Sequence, residues 1–375
     1  MSSNQSVQSI FIIAGEESGD LHGSHLVQEI LKLYPKIKFV GHGGDKMAAS
    51  GVEIIEHISA LSIVGFTEVI KHLPYMFKVM SSTISTIRKI RPSRVILIDY
   101  PGFNLRLAKR LKALNIPITY FILPQVWAWK ENRAEIIKKY MDQAISIVPF
   151  EKEWFGKRGI NIDFVGHPFV DVEKPSISKK DYFSKYLLTL NRPLLALLPG
   201  SRQQEIDRHW PIFLATIKKL REIFPKIQFI IGQAPNVKMP TCPEYVHIEK
   251  EDPRLTMHYS DAGLIASGTA TLEAATFNLP TVVCYKTSKI TYWIGKRLAK
   301  VKYLSLINLI ANRQIVPEFL QHKMTAKALV KALIPLLSDT PEREKIIFGY
   351  KKFNKNLGNP GVYRRAAKLI TEKVF

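Results

Sequence analysis

Short unbroken runs of apolar β-formers recur along the chain, each followed by a polar loop and then by apolar residues at helical spacing. In the first half, runs near 9–14, 37–40, 94–99, 118–123, 144–149 and 163–165 read as strands. A Pro/Ser/Lys stretch, "VEKPSISKKD" at 172–181, interrupts the alternation, which restarts with runs at 194–198, 227–231, 263–266 and 281–284. Continuous apolar strands without in–out alternation belong to parallel sheets covered on both faces. The pattern predicts an α/β protein of two doubly wound, Rossmann-like domains, 1–171 and 182–345, facing a cleft. Helices over 346–375 follow, which either cross back to the first domain or mediate self-association. In such folds ligands sit beyond the carboxyl ends of the strands, so the informative residues lie just after strands.

Composition fits that size: 375 residues, 46% hydrophobic and 23% charged, are enough for two cores. The two cysteines, Cys242 and Cys284, are far apart and show neither a CxxC nor a Cys/His spacing, so no disulfide framework or structural zinc is expected. A reducing, cytosolic compartment fits. The start "MSSNQSVQS" lacks the basic and apolar parts of a secretory signal. The most apolar stretch, "PITYFILPQVWAW" at 117–129, is shorter than the roughly 18–20 residues that cross a bilayer. A net charge of +22 asks for an anionic partner: nucleic acid, an anionic membrane surface or a phosphorylated substrate.

Four strand-to-loop junctions carry candidate chemistry. "IFIIAGEESGDLHG" at 10–23 has the outline of a nucleotide loop, but Glu16, Glu17 and Asp20 would repel a phosphate. Here Gly15 and Gly19 are expected to shape the turn, Ser18 or Asp20 to cap the helix, and Glu16 to face the cleft. "RVILIDYPGFN" at 94–104 puts Asp99 at the end of a buried strand, as a general base on a hydroxyl or as the cap of the helix starting near Gly102. "LLALLPGSRQQEI" at 194–206 turns at Gly200 and sets Ser201 and Arg202 at a helix mouth, where the guanidinium suits a diphosphate. It also reads as an ordinary strand–helix turn with a surface arginine.

"LIASGTATLEAATFNLPTVV" at 264–283 adds a second phosphate site: Ser267, Gly268, Thr269 and Thr271 would converge hydroxyls and free amides on an anion. Glu273 would accept from a ribose diol. The plainer reading is a well-capped helix with Thr269 as N-cap. "GHGGDKM" at 41–47 reads as a Gly-rich turn before a helix, and neither a Walker A pattern nor an intact G-x-G-x-x-G after a strand is present.

Two segments mix basic and apolar residues. The span 71–94 holds six Lys/Arg and no acid, and 285–313 holds seven Lys/Arg, four Tyr/Trp and no acid. Both suit an anionic membrane interface, and both also read as amphipathic helices with solvated basic faces. RNP motifs and a GXXG loop are not evident, so nucleic acid is not an expected partner.

Taken together, "GEESGDLHG" (15–23), "VGFTEV" (64–69), "IDYPGFN" (98–104), "PQVWAW" (124–129), "VGHP" (165–168), "LLPGSRQQEI" (197–206), "GTATLE" (268–273) and "NLIANRQIVPEFLQ" (308–321) resemble, in collinear order, the lipid-A-disaccharide synthase family. The resemblance implies an inverting glycosyltransferase of the two-domain GT-B type. It would transfer a diacylated glucosamine from UDP to the 6-hydroxyl of a diacylglucosamine 1-phosphate, making a β-1,6 disaccharide and UDP. It implies Asp99 as candidate base, Glu16 as an acid important to activity, Arg202 on the diphosphate, and Asn308 with Gln314 in a polar segment near the nucleotide. Many members carry a second Asp where this chain has Gly102, so Asp99 would act alone or with Glu16, and Glu17 is a further candidate for the proton. No cofactor is implied, and no Asp-x-Asp motif is seen that would hold a metal. Acylated anionic substrates imply docking on the inner leaflet of the cytoplasmic membrane, with a homodimer as a further expected partner. Two alternatives stand beside it: another GT-B enzyme such as a UDP-N-acetylglucosamine 2-epimerase, and a non-catalytic RNA- or lipid-binding protein.

Overall fold

The computed structural model describes residues 8–61, 66–128, 130–172, 175–235, 237–288, 292–293 and 302–374, with the backbone alone for 66–72. Two compact units share the chain: one comprises Met1–Asp171 with Gly358–Phe375, the other Val172–Leu357.

The first unit is built on a parallel sheet of β1 (Ser9–Ile13), β2 (Lys38–Gly43), β3 (Val52–His57), β4 (Arg94–Ile98), β5 (Ile118–Phe121), β6 (Gln143–Ser146) and β7 (Asp163–Phe164), in the order β3-β2-β1-β4-β5-β6-β7. Its central strands are buried throughout, and Phe11, Val95, Leu97 and Tyr120 pack with helix residues such as Val79, Ile87, Leu107 and Ile137 in one core. The helix Val362–Thr371 packs on the helix Glu17–Leu33. Asp171 accepts from the amides of Gly361 (2.5 Å) and Val362 (2.8 Å) at its start, and Tyr363 meets His22 at 2.8 Å. Arg365 donates twice to the carbonyl of Val165. The last helix therefore returns to the first unit, and its apolar face is occupied there.

In the second unit β8 (Leu194–Leu198), β9 (Gln228–Gly232), β10 (Val246–Glu249), β11 (Ala262–Ala266), β12 (Thr281–Tyr285) and β13 (Glu318–Leu320) form a parallel sheet ordered β10-β9-β8-β11-β12-β13. The helix Pro341–Asn356 stays with this unit rather than with the terminal helix: Tyr350 is fully buried with its hydroxyl 2.9 Å from that of Thr281.

Strands β3, β10 and β13 have no counterpart in the hydrophobic pattern. All three are edge strands, paired on one side only, and their residues are partly exposed, so no continuous apolar run marks them. Among the described residues no helix is long and apolar enough to cross a membrane.

Candidate active site

Strand order reverses once in each sheet, between β1 and β4 and between β8 and β11. At such a switch point the loops leaving the two strands run to opposite faces and open a crevice at their carboxyl ends. Glu16 follows β1 and Asp99 follows β4; Arg202 follows β8 and Ser267 follows β11. Both groups of sequence-derived candidates thus flank a switch point.

In the first unit Asp99 (φ 43°) and Tyr100 (φ 47°) are consecutive left-handed residues, which non-glycine residues adopt only when held there. Tyr100, not Asp99, is the N-cap of the helix Pro101–Leu111, so the capping alternative for Asp99 is set aside; its carboxylate accepts from the Tyr100 amide on the turn itself. The Tyr100 ring lies flat on Gly15: a Cβ there would sit 2.3 Å from ring carbons. That contact brings the start of the helix Glu17–Leu33 beside Asp99. Burial first, and the negative charge of Glu16 second, push the Asp99 carboxyl up to about 6.

Glu16 is the N-cap of the helix Glu17–Leu33 but makes no capping bond through its side chain, which is exposed. Neither Ser18 nor Asp20 caps that helix. Ser18 is exposed within its first turn, whereas Asp20 is buried and accepts from the amides of Gly44, Lys46 and Met47 at the start of the helix Asp45–Ala49. Of the acids in "GEESGD", Asp20 is structural and Glu16 acts on the Asp99 charge.

Sequence reasoning passed over Glu151. Its carboxylate is fully buried, accepts from Trp127 Nε1 at 2.8 Å and from the Ser146 hydroxyl, and so ties the segment after β5 to the end of β6. Burial pushes this acid up to about 7.

In the second unit Gly200 has φ +143°, and a Cβ there would lie 2.6 Å from that of Glu205, which explains the glycine. Glu205, a residue without a sequence-derived role, organises the loop: its Oε2 accepts from the Ser201 amide at 3.0 Å and its Oε1 lies 3.5 Å from Arg202 Nη1. Arg202 keeps 64% of its side chain exposed. His209 clasps the loop from behind, with Nδ1 2.6 Å from the Pro199 carbonyl while Nε2 accepts from the Lys286 amide at 2.9 Å. Nε2 also lies 3.2 Å from the Lys286 carbonyl, so both ring nitrogens meet main-chain groups of the two loops.

The segment after β11 behaves differently from its expectation of three converging hydroxyls. Thr271 is fully buried and its hydroxyl donates back to the Gly268 carbonyl at 2.8 Å, so it closes the turn and presents nothing to a ligand. The Ser267 hydroxyl donates to the Leu304 carbonyl at 3.3 Å, and Thr269 is exposed at the N-cap of the helix Ala270–Thr276 without a side-chain capping bond. Burial, then the nearby Asp252 set against Arg254, leave the Glu273 carboxyl raised to about 7.

Asn308 is corrected as well. It is fully buried; its Nδ2 donates to the Val316 carbonyl and to Glu318 Oε1, both at 2.8 Å, and its Oδ1 accepts from the amides of Ile315 (2.6 Å) and Val316 (3.0 Å). Every donor and acceptor site is used, so it shapes the 314–318 turn, while Gln314 beside it is exposed.

A family model described as lipid-A-disaccharide synthetase matches residues 10–374. The chain belongs to the lipid-A-disaccharide synthase family. Proteins of that name from Geobacter metallireducens and Myxococcus xanthus are each 36% identical to it, over 97% of this chain and 96% and 97% of theirs. One from Coxiella burnetii is 33% identical over 98% of this chain and 99% of its own. Solved structures agree on the GT-B fold at low identity: a UDP co-structure of Staphylococcus aureus MnaA has a TM-score of 0.65 at 12% identity, covering 98% of this chain and 97% of that one. A glycosyltransferase of kitacinnamycin has 0.64 at 12%, covering 98% of each.

A lipid-A-disaccharide synthase is a hexosyltransferase of lipid A biosynthesis, and its substrates are a sugar nucleotide and a lipid acceptor. That decides against the epimerase and binding-protein alternatives. Such a transfer needs an acid–base group and stabilisation of a departing charge. Among the described residues no group of three or more His, Cys, Asp or Glu could hold a metal ion.

Proposed function

We propose that the reaction is a single displacement inverting the donor carbon. The 6-hydroxyl of 2,3-diacylglucosamine 1-phosphate attacks C1 of the 2,3-diacylglucosamine carried on UDP, the bond from C1 to the diphosphate oxygen breaks, and the β-1,6 disaccharide 1-phosphate and UDP leave. Asp99 takes the hydroxyl proton. The observation that carries this reading is its carboxyl, raised to about 6 at the β1/β4 switch point: ionised at neutral pH yet more basic than an ordinary carboxylate. Glu16 supports that basicity, and with Ser18 it lies on the acceptor side.

On the donor side the exposed Arg202 neutralises the diphosphate as it departs, with Ser201, Ser267, Gly268 and Thr269 contributing polar contacts. Glu273 holds the ribose, and Gln314 lies along the nucleotide. The first unit thus serves the acceptor and the second the UDP-sugar.

Docking at the inner leaflet rests on the helix Phe66–Ile90, where Leu73 (39%) and Phe77 (59%) are exposed one turn apart next to Lys78. Arg94 of the same basic span is buried and donates to Thr119 and to the Lys373 carbonyl, so it belongs to the fold. The span 289–301, apart from 292–293, lies outside the described residues.

Mass spectrometry of the product from UDP-2,3-diacylglucosamine and 2,3-diacylglucosamine 1-phosphate tests the reaction, with a disaccharide 1-phosphate expected and its absence defeating the reading. The lower limb of the pH–rate profile should fall near 6 and disappear in Asp99→Asn along with at least about a hundredfold of turnover. Phe77→Ser should weaken sedimentation with vesicles containing anionic lipid and leave turnover on detergent-dispersed substrates unchanged.

A further inference from the structure

We infer that Tyr120 and Asn104 are positioning residues for the transfer: together they clamp the main-chain carbonyl of Asp99 and so fix the direction of its carboxylate. The inference rests on Asp99 as the base.

The chain turns from β4 into the helix Pro101–Leu111 through two left-handed residues, Asp99 and Tyr100, neither of them glycine. Such a turn relaxes unless its peptide planes are tied. The Tyr120 hydroxyl, reaching across from β5, donates to the Asp99 carbonyl at 2.5 Å. Asn104 Nδ2, from the helix just entered, donates to the same carbonyl at 2.7 Å and to that of Ile98 at 3.2 Å. The Asp99 amide completes the ladder on the Phe121 carbonyl at 3.3 Å. With the peptides on both sides of Asp99 held and its φ set, the Cα–Cβ bond has one direction, and the carboxylate, which accepts from the Tyr100 amide, is kept where Glu16 acts on it.

Packing alone does not call for these side chains. Tyr120 is fully buried on β5 beside Phe121, and a phenylalanine would fill the core equally well; the hydroxyl's hydrogen bond goes to Asp99. Asn104 is also fully buried, and its Oδ1 has no partner. A buried amide kept with its acceptor unused is there for its two donor bonds. The other charged and titratable groups around this corner are Glu16 at the head of the helix Glu17–Leu33, Tyr100 on the turn itself, and Arg133, which acts on Tyr120 from the helix Arg133–Tyr140. Burial and the Asp99 charge keep the Tyr120 phenol protonated, and therefore a donor, across the working pH range.

Tyr120→Phe removes one oxygen without opening a cavity, and Asn104→Ser removes the second clamp independently. Each variant should lose about tenfold to a hundredfold in kcat with KM for both substrates within about twofold. The lower limb of the pH–rate profile should move below that of the parent as the carboxylate relaxes into solvent. Carboxyl carbon-13 titration of Asp99, assigned by its disappearance in Asp99→Asn, should move in the same direction. Variants that lose thermal stability or active fraction while the limb and the Asp99 titration stay in place would overturn the positioning role and leave the base reading intact. Retained turnover in Asp99→Asn would remove the base reading, while the Asp99 titration in Tyr120→Phe still decides whether the clamp orients the carboxylate.

Discussion

Asp20 stands on the first helix of the chain, yet its carboxylate serves Gly44, accepting from that amide at 2.6 Å and from those of Met47 and Lys46 at 3.0 and 3.1 Å. It is 2% exposed, so its loss would strand several amides without water to replace it. Asp20→Ala should destabilise the first unit by about 2–3 kcal/mol, whereas Ser18→Ala, at an exposed position, should stay within about 0.5 kcal/mol. Denaturant titration compares them, and equal effects would contradict the assignment of Asp20 as the cap.

Asp99 carries the opposite relation between function and stability. Its folded-state carboxyl is raised from 3.8 to about 6, so the folded protein holds the proton more tightly and the ionised form is the disfavoured one. Asp99→Asn should therefore gain about 1–2 kcal/mol at pH 8 while losing turnover, allowing for the partial exposure of the group. The gain should be complete above about pH 6 and vanish as pH falls through 3.8. Thermal melts of both proteins at pH 8 and in acid check the sign, and a gain that persists at low pH would point to backbone preference rather than charge.

Arg202 and Asn308 separate contact from scaffolding. Arg202→Ala should lower kcat/KM by at least about a hundredfold with stability within about 0.5 kcal/mol, because the side chain is 64% exposed and its nearest ion-pair contact, to Glu205, is 3.5 Å long. Asn308→Ala should instead lose about 2–3 kcal/mol, since it strips partners from buried groups of Ile315, Val316 and Glu318. Paired kinetics and calorimetry decide this, and a stable but inactive Asn308→Ala would restore it as a ligand contact.

Glu273 gives a pH dependence on the donor side. With its carboxyl raised to about 7, Glu273 is ionised above that pH, where as the proposed ribose partner it would be the stronger acceptor. UDP affinity, measured by calorimetry, should weaken as pH falls through 7, and Glu273→Gln should flatten the dependence. A parallel decline in both proteins would assign the effect to the diphosphate instead.

Two buried imidazoles, His42 and His167, and the half-buried His22 lower the stability of the first unit in acid. Burial holds His22 and His42 down to about 4 and His167 down to about 3, so each is neutral in the fold and protonates more readily when unfolded. Their contribution is fully present above 6.5 and falls away as pH drops from there toward 4. His42→Gln, which keeps a polar partner for the Thr83 hydroxyl 3.0 Å away, should soften that decline in urea titrations between pH 7 and 4.5.

The alternation of apolar runs and polar loops determined the α/β class and the central strands, because a strand buried on both faces must be apolar along its whole length. It also put Asp99, Glu16, Arg202 and Ser267 just after strands. Of the edge strands, β7 was marked by the run at 163–165, whereas β3 and β13 left no such trace because their residues are partly exposed. Tertiary structure alone decided which polar groups remain available to a ligand. Thr271 and Asn308 looked like site residues, and Asp20 like the cap of its own helix, because caps, turn closers and ligands all require short polar side chains in loops. Folding brings them against the backbone groups of Gly44, Gly268 and Val316, where their hydrogen bonds are consumed. Partners distant in sequence, such as Tyr120 and Asp99 or Gly15 and Tyr100, become neighbours only when β5 pairs with β4 and β1 with β4, so no local pattern could reveal them.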